Sequence, residues 1–184
     1  DFRALADAHD LWIIEDACHA PGGYFIDSKS EKNFCGNGNY SDIGVFSFHP
    51  VKHIACGEGG MLTTNSKELY KKLMLLRTHG INKENMQENH GNWYYEMQEL
   101  GFNYRLTDIQ SALGITQLLK NEKGVERRNE IAAKYKKAFE GKIKFQDLPK
   151  DMYNAHHLFI IEVENRKKLY DFLQSKGILA QIHY

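Results

Sequence analysis

A chain of 184 residues, 42% of them hydrophobic, can bury one core, or one core and the beginning of another. Its 24 Lys and Arg balance 24 Asp and Glu, which excludes the net positive field that draws nucleic acid or an anionic membrane surface, so any phosphate must be met locally. No apolar run has bilayer-spanning length and no signal-peptide pattern opens the chain, and the three scattered cysteines, Cys18, Cys35 and Cys56, argue for a reducing, cytoplasmic setting rather than a disulfide framework.

Taken in order, the elements alternate as in a doubly wound α/β layer. A helix over Asp1 to His9 leads into an apolar strand, Leu11 to Glu15, that ends on Asp16. Pro21 to Ser41 is polar, bears glycines and is long for a connection, so it reads as a lid or substrate loop. Strands follow at Ile43 to Phe48 and Met61 to Thr64. Ser66 then caps a helix marked by Leu69, Leu73 and Leu76 and stopped at Gly80. Ile81 to Gln98 has no period and reads as an ordered loop, or one completed by a partner. Thr107 and Gln110 form a capping box opening a helix through Leu119, and a more charged helix runs to about Phe139. Two strands, Leu158 to Val163 and Ile178 to His183, flank a helix capped by Asn165.

The chemistry concentrates after the second strand. In Ser47-Phe48-His49-Pro50-Val51-Lys52-His53-Ile54-Ala55-Cys56-Gly57, one lysine sits in an uncharged, glycine-bounded turn, whereas most other lysines lie on helical faces. An amine held among Pro, Val, Ile and Ala is a candidate for the desolvation that makes it nucleophilic, so Lys52 is a Schiff-base candidate. Asp16 ends a strand where ligands of open α/β sheets gather. Pyridoxal phosphate needs an amine for its aldehyde, an acid for its ring nitrogen and donors for its phosphate, and Lys52, Asp16 and Ser47 supply the three. Each also has an ordinary reading: a solvated loop lysine, a turn aspartate, a serine satisfied by backbone. The histidines and cysteines around Lys52 match no zinc spacing, and Pro50 opposes a helix that would align His49 with His53, so no metal is expected. Glycine-rich dinucleotide and Walker patterns are absent.

At these residues the chain resembles the DegT/DnrJ/EryC1/StrS sugar aminotransferases, fold type I pyridoxal-phosphate enzymes. The segment Glu15-Asp16-Ala17-Cys18-His19-Ala20 resembles the family's pyridine-binding strand end, and the Ser47 to Lys52 spacing resembles its phosphate-binding serine and Schiff-base lysine. Gly57-Glu58-Gly59-Gly60 is similar to the turn that follows, and Gly101-Phe102-Asn103-Tyr104-Arg105 to a segment that crosses a dimer interface. The resemblance implies that Asp16 pairs with the ring nitrogen, that His19 lies near the ring hydroxyl, and that Asn103 touches the phosphate of a neighbouring active site in a homodimer. It implies residues 1–120 as part of the cofactor-binding large domain, with a mostly parallel sheet, and 121–184 as a linking helix and the start of a small α+β domain. A whole family member is about twice as long, so a fragment is expected, lacking an upstream phosphate loop and most of the second domain. Within the family, Ser-Phe-His-Pro-Val-Lys and Trp93-Tyr94-Tyr95-Glu96-Met97 resemble the C4 aminotransferases of pseudaminic acid synthesis. The activity so implied is transfer of an amino group from glutamate to the C4 ketone of a nucleotide-linked deoxysugar. The alternatives are a sugar dehydratase of the same cofactor class, against which retention of Lys52 speaks, and a non-catalytic fragment.

Overall fold

The computed structural model describes residues 1–82 and 90–182. Helix α1 (Phe2–Ala8) is tied down by Arg3, whose guanidinium reaches Asp7 at 2.8 Å and Asp42 at 3.0 Å. Asp42 also accepts the Ile13 N–H at 2.7 Å, so one carboxylate joins α1, the approach to β1 (Ile14–Asp16) and the start of β4 (Ile43–Ser47). The Ile13 N–H, then Arg3, hold the Asp42 carboxyl below the usual range.

Strand β4 is the centre of a three-stranded sheet. It pairs with β1 in parallel, Ile14 opposite Ile43 and Asp16 opposite Val45, and with β5 (Gly60–Thr63) in antiparallel, Gly44 opposite Thr63 and Ser47 opposite Gly60. Because β1 and β4 run the same way, both release their chains at one edge, and the side chains that follow them converge there. Beyond β4 the chain doubles back: Cys56 N–H donates to Phe48 O at 3.0 Å and Phe48 N–H to Gly59 O at 2.8 Å. Phe48, Ile54 and Cys56 are buried together against Phe46 and Leu106, and this apolar plug fixes the turn that carries Lys52.

The segment Pro21 to Ser41, expected as a lid or substrate loop, instead holds a β-hairpin of β2 (Tyr24–Ile26) and β3 (Lys32–Phe34). Asp27 Oδ1 accepts the N–H groups of Lys29 and Glu31, both at 2.9 Å, which makes the turn. A third strand, β9 (Met152–Tyr153), joins the other side of β2, and Tyr24 stacks on Tyr153 with centroids 4.9 Å apart. The two parts of the chain expected to divide near residue 120 are thus hydrogen-bonded to each other.

Helix α2 (Lys67–Arg77) begins as expected, with Ser66 Oγ accepting the Leu69 N–H at 3.3 Å. Its end is laced to the stretch after residue 100: Phe102 N–H donates to Leu76 O, His79 N–H to Phe102 O, and Thr78 bridges Asn103. The backbones approach so closely that a Cβ on Gly101 would lie 2.0 Å from Gly80 N. Within the stretch expected to lack a period, β6 (Ile81–Asn82) pairs with β7 (Glu96–Met97); part of that stretch lies outside the described residues. Helix α3 (Asp108–Leu118) carries the full capping box of Thr107 and Gln110. Helix α4 (Asn121–Phe139) buries Val125 and Ala132.

The C-terminal strands are shorter than expected. Strand β10 (Ile161–Glu162) pairs with β8 (Lys144–Phe145), and α5 (Arg166–Ser175) follows. Residues 178–182 form no strand: Ile178 N–H turns back to Leu173 O at 2.9 Å, finishing the helix, and no neighbouring ladder takes up the apolar run; His183 lies outside the described residues. No helix among the described residues is long and apolar enough to cross a membrane.

Candidate active site

Asp16 ends β1 and Ser47 ends β4 at the shared edge, and Lys52 follows Ser47 on the plugged turn, its own N–H donating to His49 O at 2.9 Å. Lys52 is half-buried and its Nζ meets His19 Nε2, which lies just past β1. An ammonium has only donors, so while Lys52 carries its charge His19 Nε2 is the acceptor and is bare of a proton. Asp16 Oδ1 accepts the Cys18 N–H at 3.0 Å. Hydrogen bonds from Cys18, then the electrostatic influence of the neighbouring His19 and Lys52, hold the Asp16 carboxyl below its usual range and keep it an anion at neutral pH. The cost falls on Cys18, whose thiol is pushed up to about 11 by burial and by Asp16, so it stays protonated and is no rival nucleophile. Ser47 Oγ accepts the His49 N–H at 3.4 Å.

Four of the five residues singled out in the sequence, Asp16, His19, Ser47 and Lys52, therefore gather at the carboxyl edge of β1 and β4. The fifth does not join them. Asn103 is exposed on the strip laced to α2 and makes no side-chain hydrogen bond among the described residues. Among those residues no group of three or more His, Cys, Asp and Glu has the arrangement to hold a metal ion.

Sequence reasoning missed His157. Its ring packs on His19, centroids 4.2 Å apart and tilted by 47°, and lies 5.4 Å from the ring of His53. His53 Nε2–H donates to Ala155 O at 2.9 Å, which joins the Lys52 turn to the chain segment that carries His157. Burial above all depresses both imidazoles, His157 to about 4. No local pattern announces His157, because what brings it to Lys52 is the pairing of β9 with β2 rather than any spacing along the chain.

An anionic carboxylate, a hydroxyl and a half-buried amine at one edge of an α/β sheet define the class: a protein with an amine-centred ligand site at its strand ends. The chain belongs to the DegT/DnrJ/EryC1/StrS aminotransferase family, whose profile it matches over residues 1–184. It is 38% identical over 190 aligned residues, 98% of this chain and 46% of the relative, to the UDP-4-amino-4,6-dideoxy-N-acetyl-beta-L-altrosamine transaminase of Campylobacter jejuni. Among solved structures it is similar to Helicobacter pylori PseC, an aminotransferase of pseudoaminic acid biosynthesis, with TM-score 0.81 and 34% identity over 99% of this chain and 47% of that one. The PLP-form of the putative sugar aminotransferase Spr1654 from Streptococcus pneumoniae superposes with TM-score 0.81 at 27% identity, covering 98% of this chain and 46% of that one. The chain spans about half the length of the curated relatives it matches.

Proposed function

We propose that this chain carries part of the active site of a pyridoxal-phosphate-dependent aminotransferase acting between glutamate and the C4 ketone of a nucleotide-linked deoxysugar. The observation that carries the reading is the seating of the half-buried Lys52 amine against His19, beside an Asp16 carboxylate held anionic. These residues fit the cofactor. Asp16 offers a full negative charge for a protonated ring nitrogen, Lys52 an amine for an aldehyde, and Ser47 a hydroxyl whose proton is not spent on its contact with the His49 N–H. When bound, pyridoxal phosphate supplies an electron sink that stabilises negative charge on the substrate carbon.

The chain's own residues would act around that sink in distinct ways. Lys52 would hold the aldehyde until a donor amine displaces it. The freed Nζ would then carry a proton to and from the substrate carbon as a general acid and base. His19, bare at Nε2, is placed to accept a proton from Nζ and return it. Asp16 would hold a proton on the ring nitrogen through charge, and the Cys18 N–H keeps that carboxylate aimed. The protonated Cys18 thiol leaves the aldehyde to Lys52.

The relatives' names support the nucleotide-sugar substrate and the amino transfer, and three free cysteines, Cys18, Cys35 and Cys56, support a cytoplasmic setting. A homodimer belongs to the same reading: exposed Phe102, Tyr104 and Ile109 flank Asn103 on a face suited to a partner, where Asn103 would reach the neighbour's phosphate. The test is chemical. The chain is mixed with pyridoxal phosphate, reduced with borohydride and mapped by mass spectrometry. An adduct on Lys52 that vanishes in Lys52→Ala is expected; wild-type protein without that adduct overturns the reading. In the full-length protein, glutamate and a UDP-linked 4-ketosugar should yield 2-oxoglutarate one for one, whereas ammonia release would mean a dehydratase.

A further inference from the structure

We infer that His157 is a positioning residue for the Lys52–His19 pair: its ring backs the His19 imidazole and holds it with Nε2 turned to the amine. The inference deepens the functional reading above and rests on it. The contact is a packed one, with centroids 4.2 Å apart at a 47° tilt, and His53 closes the cluster at 5.4 Å from His157.

The segment bearing His157 is itself clamped. Arg128 Nη1, on α4, donates to His156 O at 3.1 Å and His157 O at 3.4 Å, and Asn129 Nδ2 donates to Asn154 O at 2.9 Å. Asn154 Oδ1 accepts the His156 N–H at 2.8 Å, and His156 holds the left-handed φ of +50° that turns the chain. Ala155 is 1% exposed and receives the His53 Nε2–H. The ring is thus delivered by a helix and a buried backbone, and the second part of the chain reaches into the amine site of the first.

The contact is also an uncharged one. His157 Nδ1 is buried without a hydrogen-bond partner among the described residues, and the groups facing the ring are His19, Lys52, His53 and Arg128. Burial, then the electrostatic influence of these groups, pushes the imidazole down to about 4, so at neutral pH it meets His19 as a neutral flat surface. A flat ring without nitrogen should therefore replace it, and a small side chain should not.

The experiment compares wild type, His157→Ala and His157→Phe in two measurements on the full chain. In cofactor-free protein, the imidazole 15N shifts of His19 should move in His157→Ala and return in His157→Phe. In the second, the rate constant for modification of Lys52 by pyridoxal phosphate should fall about tenfold in His157→Ala at an unchanged half-saturating concentration, and recover in His157→Phe. Where His157→Ala fails to fold, His157→Leu, which fills the volume without a flat face, takes its place. His19 shifts that stay put in the aliphatic variant, or move equally in His157→Phe, overturn the inference whatever the rates do. Wild-type protein that is never modified at Lys52 overturns the functional reading instead, and the His19 shifts then decide this inference alone.

Discussion

At the scale of single residues, the site separates its two charges by giving each a different neighbour. Asp16 is held anionic by the Cys18 hydrogen bonds and by His19 and Lys52, so its folded-state ionisation lies below that of the free side chain. This contribution to stability is present above the ordinary carboxylate range and is lost as pH falls through the depressed value. Replacing Asp16 by Ala removes the anion that would hold a ring proton. On the function proposed above, turnover in a protein of the relatives' length is expected to fall on the order of 100-fold or more, with a much smaller change in the pyridoxal phosphate needed for half-saturation. Equal losses in both would mean that Asp16 only binds. The imidazoles behind Lys52 carry the opposite consequence. His157 is pushed to about 4 from 6.5, and His53 and His156 are lowered as well, each chiefly by burial. Between those two values the unfolded chain takes up a proton that the folded chain refuses, so stability declines as pH drops from 6.5 towards about 4 and levels off below. Urea midpoints for wild type and His157→Phe at about pH 7 and about pH 5 should show a smaller acid loss in the variant. Identical losses would remove His157 from the acid response.

At the scale of elements, local signals served where the element is closed on itself. Ser66 and Thr107 cap α2 and α3 where their side chains announce it, because a cap is a contact between residues three apart. Thr107→Ala is accordingly expected to cost about 1 kcal/mol, read from the urea midpoint, since it removes the Oγ1 that accepts the Gln110 N–H and leaves only the backbone half of the box, the residue 107 N–H donating to Gln110 Oε1. Strands were legible where the sequence is apolar, as in β1, β4 and β5. The β2–β3 hairpin escaped notice because its short strands lie in a polar, glycine-bearing stretch and β2 finds its second neighbour in distant β9. Conversely, Ile178 to Ile182 has the composition of a strand but no ladder to join, and strand propensity expresses packing on a pleated neighbour more than backbone preference. The Gly80–Gly101 crossing is a third case. An added Cβ on Gly101 would stand 2.0 Å from Gly80 N, and both flanks are hydrogen-bonded, so neither backbone can yield. Gly101→Ala should cost roughly 3 kcal/mol and release Asn103 from its bridge to Thr78. A full-stability variant would show that the crossing is not tight in solution.

At the scale of the whole molecule, the surface is too large for the mass. The chain exposes 14,121 Å², whereas a compact monomer of 21.3 kDa exposes roughly 9,000 Å². Ile109 is 85% exposed, Leu119 80% and Tyr104 70%, on or next to the helix that follows Asn103. In a chain spanning about half the length of the relatives it matches, apolar area of this extent is open to a partner or to the rest of a longer chain. Sedimentation of the 184-residue chain is expected to show concentration-dependent association, weakened by Ile109→Lys with Leu119→Lys. A monodisperse monomer at all concentrations would count against the homodimer proposed above.

The sequence by itself determined the strand that ends on Asp16, the turn that holds Lys52 apart from other charges, the capped helices and the family, because each rests on neighbours a few residues apart. Only the tertiary structure decided that Asp16 and Lys52 share an edge, since that follows from β1 and β4 running parallel in the register Asp16 to Val45. It alone decided that His19 receives the Lys52 amine and that His157 stands behind it, since the pairing of β2 with β9 joins segments far apart in the chain. Hydrophobic pattern specifies which residues leave water, but not which of the buried partners they meet.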